Sequence, residues 1–83
     1  MKILYFAWLR QKTGHGSEQI TLPEDINNVA GLMDWLVGRG ESYADAFANR
    51  EAIKIAVNQT YCDAEQKISD SDEVAFFPPV TGG

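Results

Sequence analysis

An α+β fold, with a mixed sheet of four or five strands packed on one main helix, is predicted from three features of the chain. The runs 2–10, 18–22, 53–58 and 73–77 are rich in β-branched and aromatic residues or alternate polar with apolar, as strands do. One run places Val29, Leu32, Met33 and Leu36 at the i, i+3, i+4, i+7 spacing of a single helical face. Eighty-three residues allow one domain with one modest core. The expectation is a single domain over 1–83 whose tail, 78–83, is flexible.

The elements follow in order. Residues 2–10 are dense in apolar and aromatic side chains and read as the first strand. Residues 11–17, with Gly14 and Gly16, read as a turn, and 18–22 as a second strand folding back as a hairpin. Pro23 ends it, because proline cannot donate to a ladder. Asn27 or Asn28 caps the helix that Val29 opens. Gly38 and Gly40 stop it, since helices often end on a left-handed residue. Ser42 is placed as the cap of a short second turn in which Tyr43, Ala46 and Phe47 share a face. Residues 53–58 alternate, with Ile53, Ile55 and Val57 on one side, and Tyr61 and Cys62 return as a short strand after the Asn58-Gln59 turn. Asp70-Ser71-Asp72 is a turn, and 73–77 is a last strand stopped by Pro78-Pro79. One helix gripped by such a sheet is the arrangement of the ubiquitin-like β-grasp, and of other small α+β folds as well.

Period-two alternation sorts the strand side chains onto two faces. Ile3, Tyr5, Ala7 and Leu9 form one set, and Leu4, Phe6 and Trp8 the other. Val74 and Phe76 oppose Ala75 and Phe77. A helix covers only one face of a sheet, yet both faces here are apolar. A face left bare with Leu4, Phe6, Tyr61 and Phe77 is a partner surface, unless Trp8 and the 43–47 turn fold over it. The short chain leaves little to do the covering, which favours the partner surface.

Composition narrows the function. The net charge is −5 with no basic run, so the cationic footprint of a nucleic-acid binder is missing. The longest apolar run, 3–9, is too short to span a bilayer. With no signal-peptide pattern at the start, the chain is expected to be cytoplasmic. Cys62 is the one cysteine and His15 the one histidine, at no ligand spacing, so no metal site is expected. Cys62 reads as a half-buried strand residue. His15, in a glycine-flanked loop with no nucleophile near it in sequence, reads as non-catalytic. Asn58-Gln59-Thr60 matches a glycosylation acceptor that a cytoplasmic chain never presents to that machinery. Asp70 and Asp72 lack the rest of a calcium loop.

The end of the chain is the most informative segment: Phe77-Pro78-Pro79-Val80-Thr81-Gly82-Gly83. Without Cβ atoms, Gly82 and Gly83 pass a narrow channel, and the last carbon is a carboxylate open to activation. Pro78-Pro79 favours an extended exit from the sheet. The four residues beyond Pro79 reach about 13–14 Å, enough to set the terminal carbon inside a partner. Such a tail gains little from ordering in water, so it is expected to order only inside a partner.

Ala56-Val57-Asn58-Gln59-Thr60 and the whole of 72–83 resemble the MoaD family of molybdopterin synthase small subunits. Ile3-Leu4-Tyr5-Phe6-Ala7 with Arg10, and the Val29-Ala30-Gly31-Leu32 helix start, match it more loosely. Ser71 departs from the glycine common in that turn, which bears on the turn's backbone and not on function.

The resemblance implies a β-grasp fold and a sulfur-carrying cycle. An E1-like, MoeB-like enzyme uses ATP to adenylate the Gly83 carboxylate, and a sulfur donor protein converts the acyl-adenylate to a thiocarboxylate. The tail then enters a MoaE-like large subunit, in a heterotetramer. There the sulfur passes to cyclic pyranopterin monophosphate to build the molybdopterin dithiolene of the molybdenum cofactor. Gly83 carries the sulfur; Gly82, Thr81, Val80, Pro79 and Pro78 thread the channel; Phe6, Tyr61 and Phe77 dock the body. No cofactor is held permanently, and the small chain alone is no enzyme, the catalytic residues lying on the large subunit. The same tail chemistry suits a carrier for thiamine or tRNA thiolation, or a ubiquitin-like protein modifier. A binding domain with an incidental diglycine is the remaining alternative.

Overall fold

Two parallel strands form the middle of the sheet: β1 (Lys2–Tyr5) runs alongside β5 (Glu73–Phe77), pairing Lys2 with Glu73 and Tyr5 with Phe76. The computed structural model describes residues 1–79. β2 (Ser17–Gln19) lies antiparallel to β1, and β3 (Lys54–Val57) lies antiparallel to β5 with β4 (Thr60–Cys62) outside it. The order across the sheet is β2-β1-β5-β3-β4. Helices α1 (Trp8–Thr13), α2 (Val29–Val37) and α3 (Glu41–Ala46) complete the fold. This is the expected mixed five-stranded sheet gripping one main helix.

The inner face of the sheet carries Ile3, Tyr5, Val74, Phe76, Ile55 and Val57, all buried against Val29, Leu32, Met33 and Leu36 of α2. The predicted apolar stripe of α2 is therefore the face that closes the core. The Asn28 side chain accepts the Gly31 N–H at 2.8 Å, so Asn28, not Asn27, caps the helix. Two more amides of its first turn, Val29 and Ala30, donate to the carbonyls of Gln66 and Ala64 at 3.0 and 2.8 Å. Tyr43, Ala46 and Phe47 share a buried face as predicted, and the Phe47 ring meets Phe76 edge-on at 5.0 Å. They pack into the core, so they do not fold over the outer face of the sheet.

Four local expectations are corrected. The first strand does not run to residue 10. Ala7 takes φ 53° and ψ −127°, the extended run breaks there, and the chain winds into α1 until Gly14 ends it at φ 88°. An apolar run such as 3–9 suits strand or helix alike. Burial decides: Leu9 and Thr13, one turn apart, both face inward, and the Thr13 hydroxyl donates to the Leu9 carbonyl at 3.0 Å. Ala7 and Leu9 thus leave the face of Ile3 and Tyr5, and Trp8 packs against the core instead of beside Leu4 and Phe6.

The second strand is shorter than 18–22. Beyond Gln19 the partner strand is used up: the Ile20 N–H goes to the Met1 carbonyl and the Leu22 N–H to Asp70 Oδ1 at 2.7 Å. Ser42 is inside α3, whose cap is Gly40, and no side chain bonds there. Gly38 closes α2 in a right-handed conformation at φ −69°, so the helix end does not use glycine's left-handed range. The turn at Ser71 needs no glycine either, because Ser71 is absent from the positive-φ residues Ala7, Asn58 and Gln59.

Candidate functional site

The outer face of the sheet is polarised along the strands. Side chains in register share a face, and at the start of β1 and β5 that face carries Gln19, Lys2 and Glu73. The next outward row is Leu4, Ala75, Ala56 and Tyr61, in register across four strands. The last contains Phe6, Phe77 and Lys54. Polar residues thus occupy one end, and aromatic residues with Lys54 beside them the other, the end from which β5 delivers Pro78 and Pro79.

The aromatic side chains touch. Phe6 stacks on Phe77 with ring centroids 5.1 Å apart and an interplanar angle of 28°. Tyr61 reaches the other side of Phe77 at 5.7 Å. Phe6 is 43% exposed and Tyr61 70%, the two exposed large hydrophobic residues among those described, while Phe77 is half-buried between them. Ala75 and Ala56 are small and buried although they face outward, so larger neighbours close over them. Phe6, Tyr61 and Phe77, scattered in the sequence, make one continuous strip. Pro78 is half-buried and Pro79 exposed where the chain leaves it. Val80, Thr81, Gly82 and Gly83, with the expectation of a flexible tail, lie outside the described residues.

Backbone strain accompanies the strip. The Phe6 N–H donates to the Phe76 carbonyl at 3.1 Å and its own carbonyl accepts from Leu9 at 3.1 Å. Phe6 is therefore held from both sides immediately before Ala7, a non-glycine residue in a costly backbone region. On the flank, Arg10 lies over Gly16, where an added Cβ would come within 3.2 Å of Arg10 Nε.

The helix side holds a polar cluster that the sequence reading missed. Glu18 points inward from β2 and accepts from Tyr5 (2.7 Å), Tyr43 (3.1 Å) and Arg39 (2.6 Å). His15 Nε2 sits 2.8 Å from the Tyr43 hydroxyl and 3.2 Å from Glu18 Oε2. The Arg39 guanidinium also covers the rings of Tyr43 and Trp35 at 4.8 and 5.1 Å. Burial alone would raise the Glu18 carboxyl, but hydrogen bonds from Arg39, Tyr5 and Tyr43 hold it below the usual carboxylate range. Burial, then the bond to Glu18, pushes the Tyr5 phenol far above its ordinary value. The one sequence signal for this cluster is a charged residue at an inward strand position. Every partner is satisfied, and the cluster stitches β1, β2 and α3 together.

The remaining candidates are structural. Cys62 is half-buried, and burial, then Asp63, raises its thiol, which makes it a poor nucleophile. Asp70 accepts the Leu22 N–H, and Asp72 accepts from Asn58 Nδ2 at 2.9 Å and from the Ser69 N–H at 2.8 Å. Among the described residues no group of three or more His, Cys, Asp or Glu side chains could hold a metal ion. No helix among them is long and apolar enough to cross a membrane.

A mixed five-stranded sheet in the order β2-β1-β5-β3-β4, packed on one main helix, places the chain in the class of ubiquitin-like β-grasp proteins. The model of the ThiS family matches residues 3–83, and the chain belongs to that family. It is 35% identical to a molybdopterin synthase sulfur carrier subunit of Escherichia coli, across 100% of this chain and 99% of that one. Among solved structures it is similar to SAMP1 of Haloferax volcanii, with a TM-score of 0.74, 26% identity and 100% and 98% of the two chains covered. Its fold is also that of a chain in a complex of subunits 1 and 2 of molybdopterin-converting factor from Helicobacter pylori. There the TM-score is 0.64 at 20% identity, over 99% and 96% of the chains.

Proposed function

We propose that this protein is the sulfur carrier subunit of a molybdopterin synthase. The Gly83 carboxylate attacks the α-phosphate of ATP on an E1-like enzyme and releases pyrophosphate. A sulfide equivalent from a donor protein then displaces AMP and leaves a thiocarboxylate. The charged tail, Pro78 to Gly83, threads into a large subunit, and the sulfur passes to cyclic pyranopterin monophosphate. Covalent activation divides a hard sulfur insertion into easier steps, with the small chain as a group carrier. The catalytic side chains belong to the large subunit, and a heterotetramer of the two chains is the expected assembly.

One observation carries this reading: β5 releases the tail at the end of the sheet where Phe6, Phe77 and Tyr61 gather. A partner that seats the strip therefore receives the tail in the same encounter. The likeness to subunits named as sulfur carriers supports the chemistry. The likeness to SAMP1, a small archaeal modifier protein, favours protein modification as the second reading.

The test is the mass of the native C-terminus, recovered from cells. A thiocarboxylate, heavier than the acid by the difference between sulfur and oxygen, is the expected result, and deleting Gly83 abolishes it while the melting temperature holds. Isopeptide adducts on target lysines would establish the modifier, and an unmodified acid would leave only a binding domain.

A further inference from the structure

We propose that Lys54 is a specificity-determining contact of the docking face, its ammonium pairing with an Asp or Glu of the large subunit beside the seat of Phe77. This rests on the reading of the aromatic strip as the surface that meets the large subunit.

Three observations place the charge there. Lys54 lies directly opposite Phe77 in the β3–β5 register, so its side chain shares the outer face with the strip. With Tyr61 it walls a shallow cleft at the β4 edge, completed by Ile55 and Cys62. It is exposed, and among the described residues it has no salt-bridge partner, whereas Arg39 and Arg50 are paired with Glu18 and Asp34. Extending the β3–β4 register sets Asp63 opposite Lys54, but the Asp63 carboxylate accepts the Glu65 N–H at 2.9 Å.

The physical consequence follows from docking itself. A partner that covers Phe6, Phe77 and Tyr61 withdraws water from the ammonium group beside them. A desolvated ammonium without an acceptor is costly, so a partner that fits brings an acceptor to that position, and a carboxylate answers both the hydrogen bonds and the charge. In a chain of net charge −5, a cation beside the tail exit also discriminates. Partners with a carboxylate at the matching place are drawn in, and those with a cation are repelled.

The experiment uses the full-length chain and its cognate large subunit. Binding is measured over a salt series for the wild type, Lys54→Met and Lys54→Glu. Lys54→Met keeps an apolar stem without the charge. Both variants are expected to melt with the wild type, because the side chain is exposed. At low salt Lys54→Met weakens binding about threefold and Lys54→Glu about tenfold, chiefly through the association rate, and the differences shrink at high salt. A zero-length carbodiimide cross-link should join Lys54 to an Asp or Glu of the large subunit, located by peptide mass spectrometry.

Affinity and salt dependence unchanged in Lys54→Glu, with the wild type binding tightly, would overturn the charge pairing and leave the docking reading intact. A Lys54 cross-link formed only between two copies of this chain would also overturn it. Failure of the wild type itself to bind the large subunit would overturn the docking reading and the pairing together.

Discussion

Phe77 lies almost flat against Phe6, centroids 5.1 Å apart, although one ends β5 and the other directly follows β1. Parallel pairing of those strands brings both rings to the same end of the sheet, where Tyr61 of β4 joins them. Phe77→Ala removes the middle ring of the strip. Binding to the large subunit should weaken by about 2 kcal/mol or more, as for an aromatic anchor at an interface. The fold should lose less, because Phe77 is only half-buried. Unchanged affinity with a large fall in melting temperature would mean that the ring serves the core.

Ala7 is predicted to be improvable. At φ 53° and ψ −127° it occupies a region that glycine enters freely and alanine does not. Ala7→Gly should raise stability by about 1 kcal/mol in denaturant unfolding, after the loss of unfolded-chain restriction is offset. Ala7→Val should lower it. A loss of stability with glycine would show that this turn carries no strain.

Acid should loosen the β1–β2–α3 junction. Glu18 titrates below its unfolded value of 4.5 in the folded chain. Its contribution is therefore complete above the unfolded value and is lost as pH falls through the depressed folded one. Glu18→Gln keeps an acceptor for Tyr5 but gives Arg39 no charge. Melting temperatures measured against pH should differ most between variant and wild type near neutrality and converge in acid. A constant gap across that range would count against the carboxylate as the source.

Asn58 joins two turns. It stands at φ 51°, its Oδ1 accepts the Glu73 N–H at 3.0 Å, and its Nδ2 donates to Asp72 at 2.9 Å. Asn58→Ala should cost about 1–3 kcal/mol, and Asn58→Gly should recover the part due to the left-handed backbone. If glycine and alanine prove equal in chemical denaturation, the side-chain clasp alone sets the cost.

The sequence by itself determined which way α2 and β5 face. The spacing of Val29, Leu32, Met33 and Leu36 marked the buried stripe of α2, and alternation in β5 put Phe76 inward and Phe77 outward. Those are local periodicities, fixed by backbone geometry and legible in any short window. Phe6, Tyr61 and Phe77 were legible as outward aromatic residues for the same reason, while their union into one strip required the strand order. The tertiary structure alone decided the rest. Trp8–Thr13 became a helix because Leu9 and Thr13 found the core from that conformation. Glu18 met Arg39 across 21 residues, and Lys54 came to stand beside Phe77, because the chain reverses between them. Periodicity reports the face a side chain takes, but only the packed topology reports which side chains from distant elements then become neighbours.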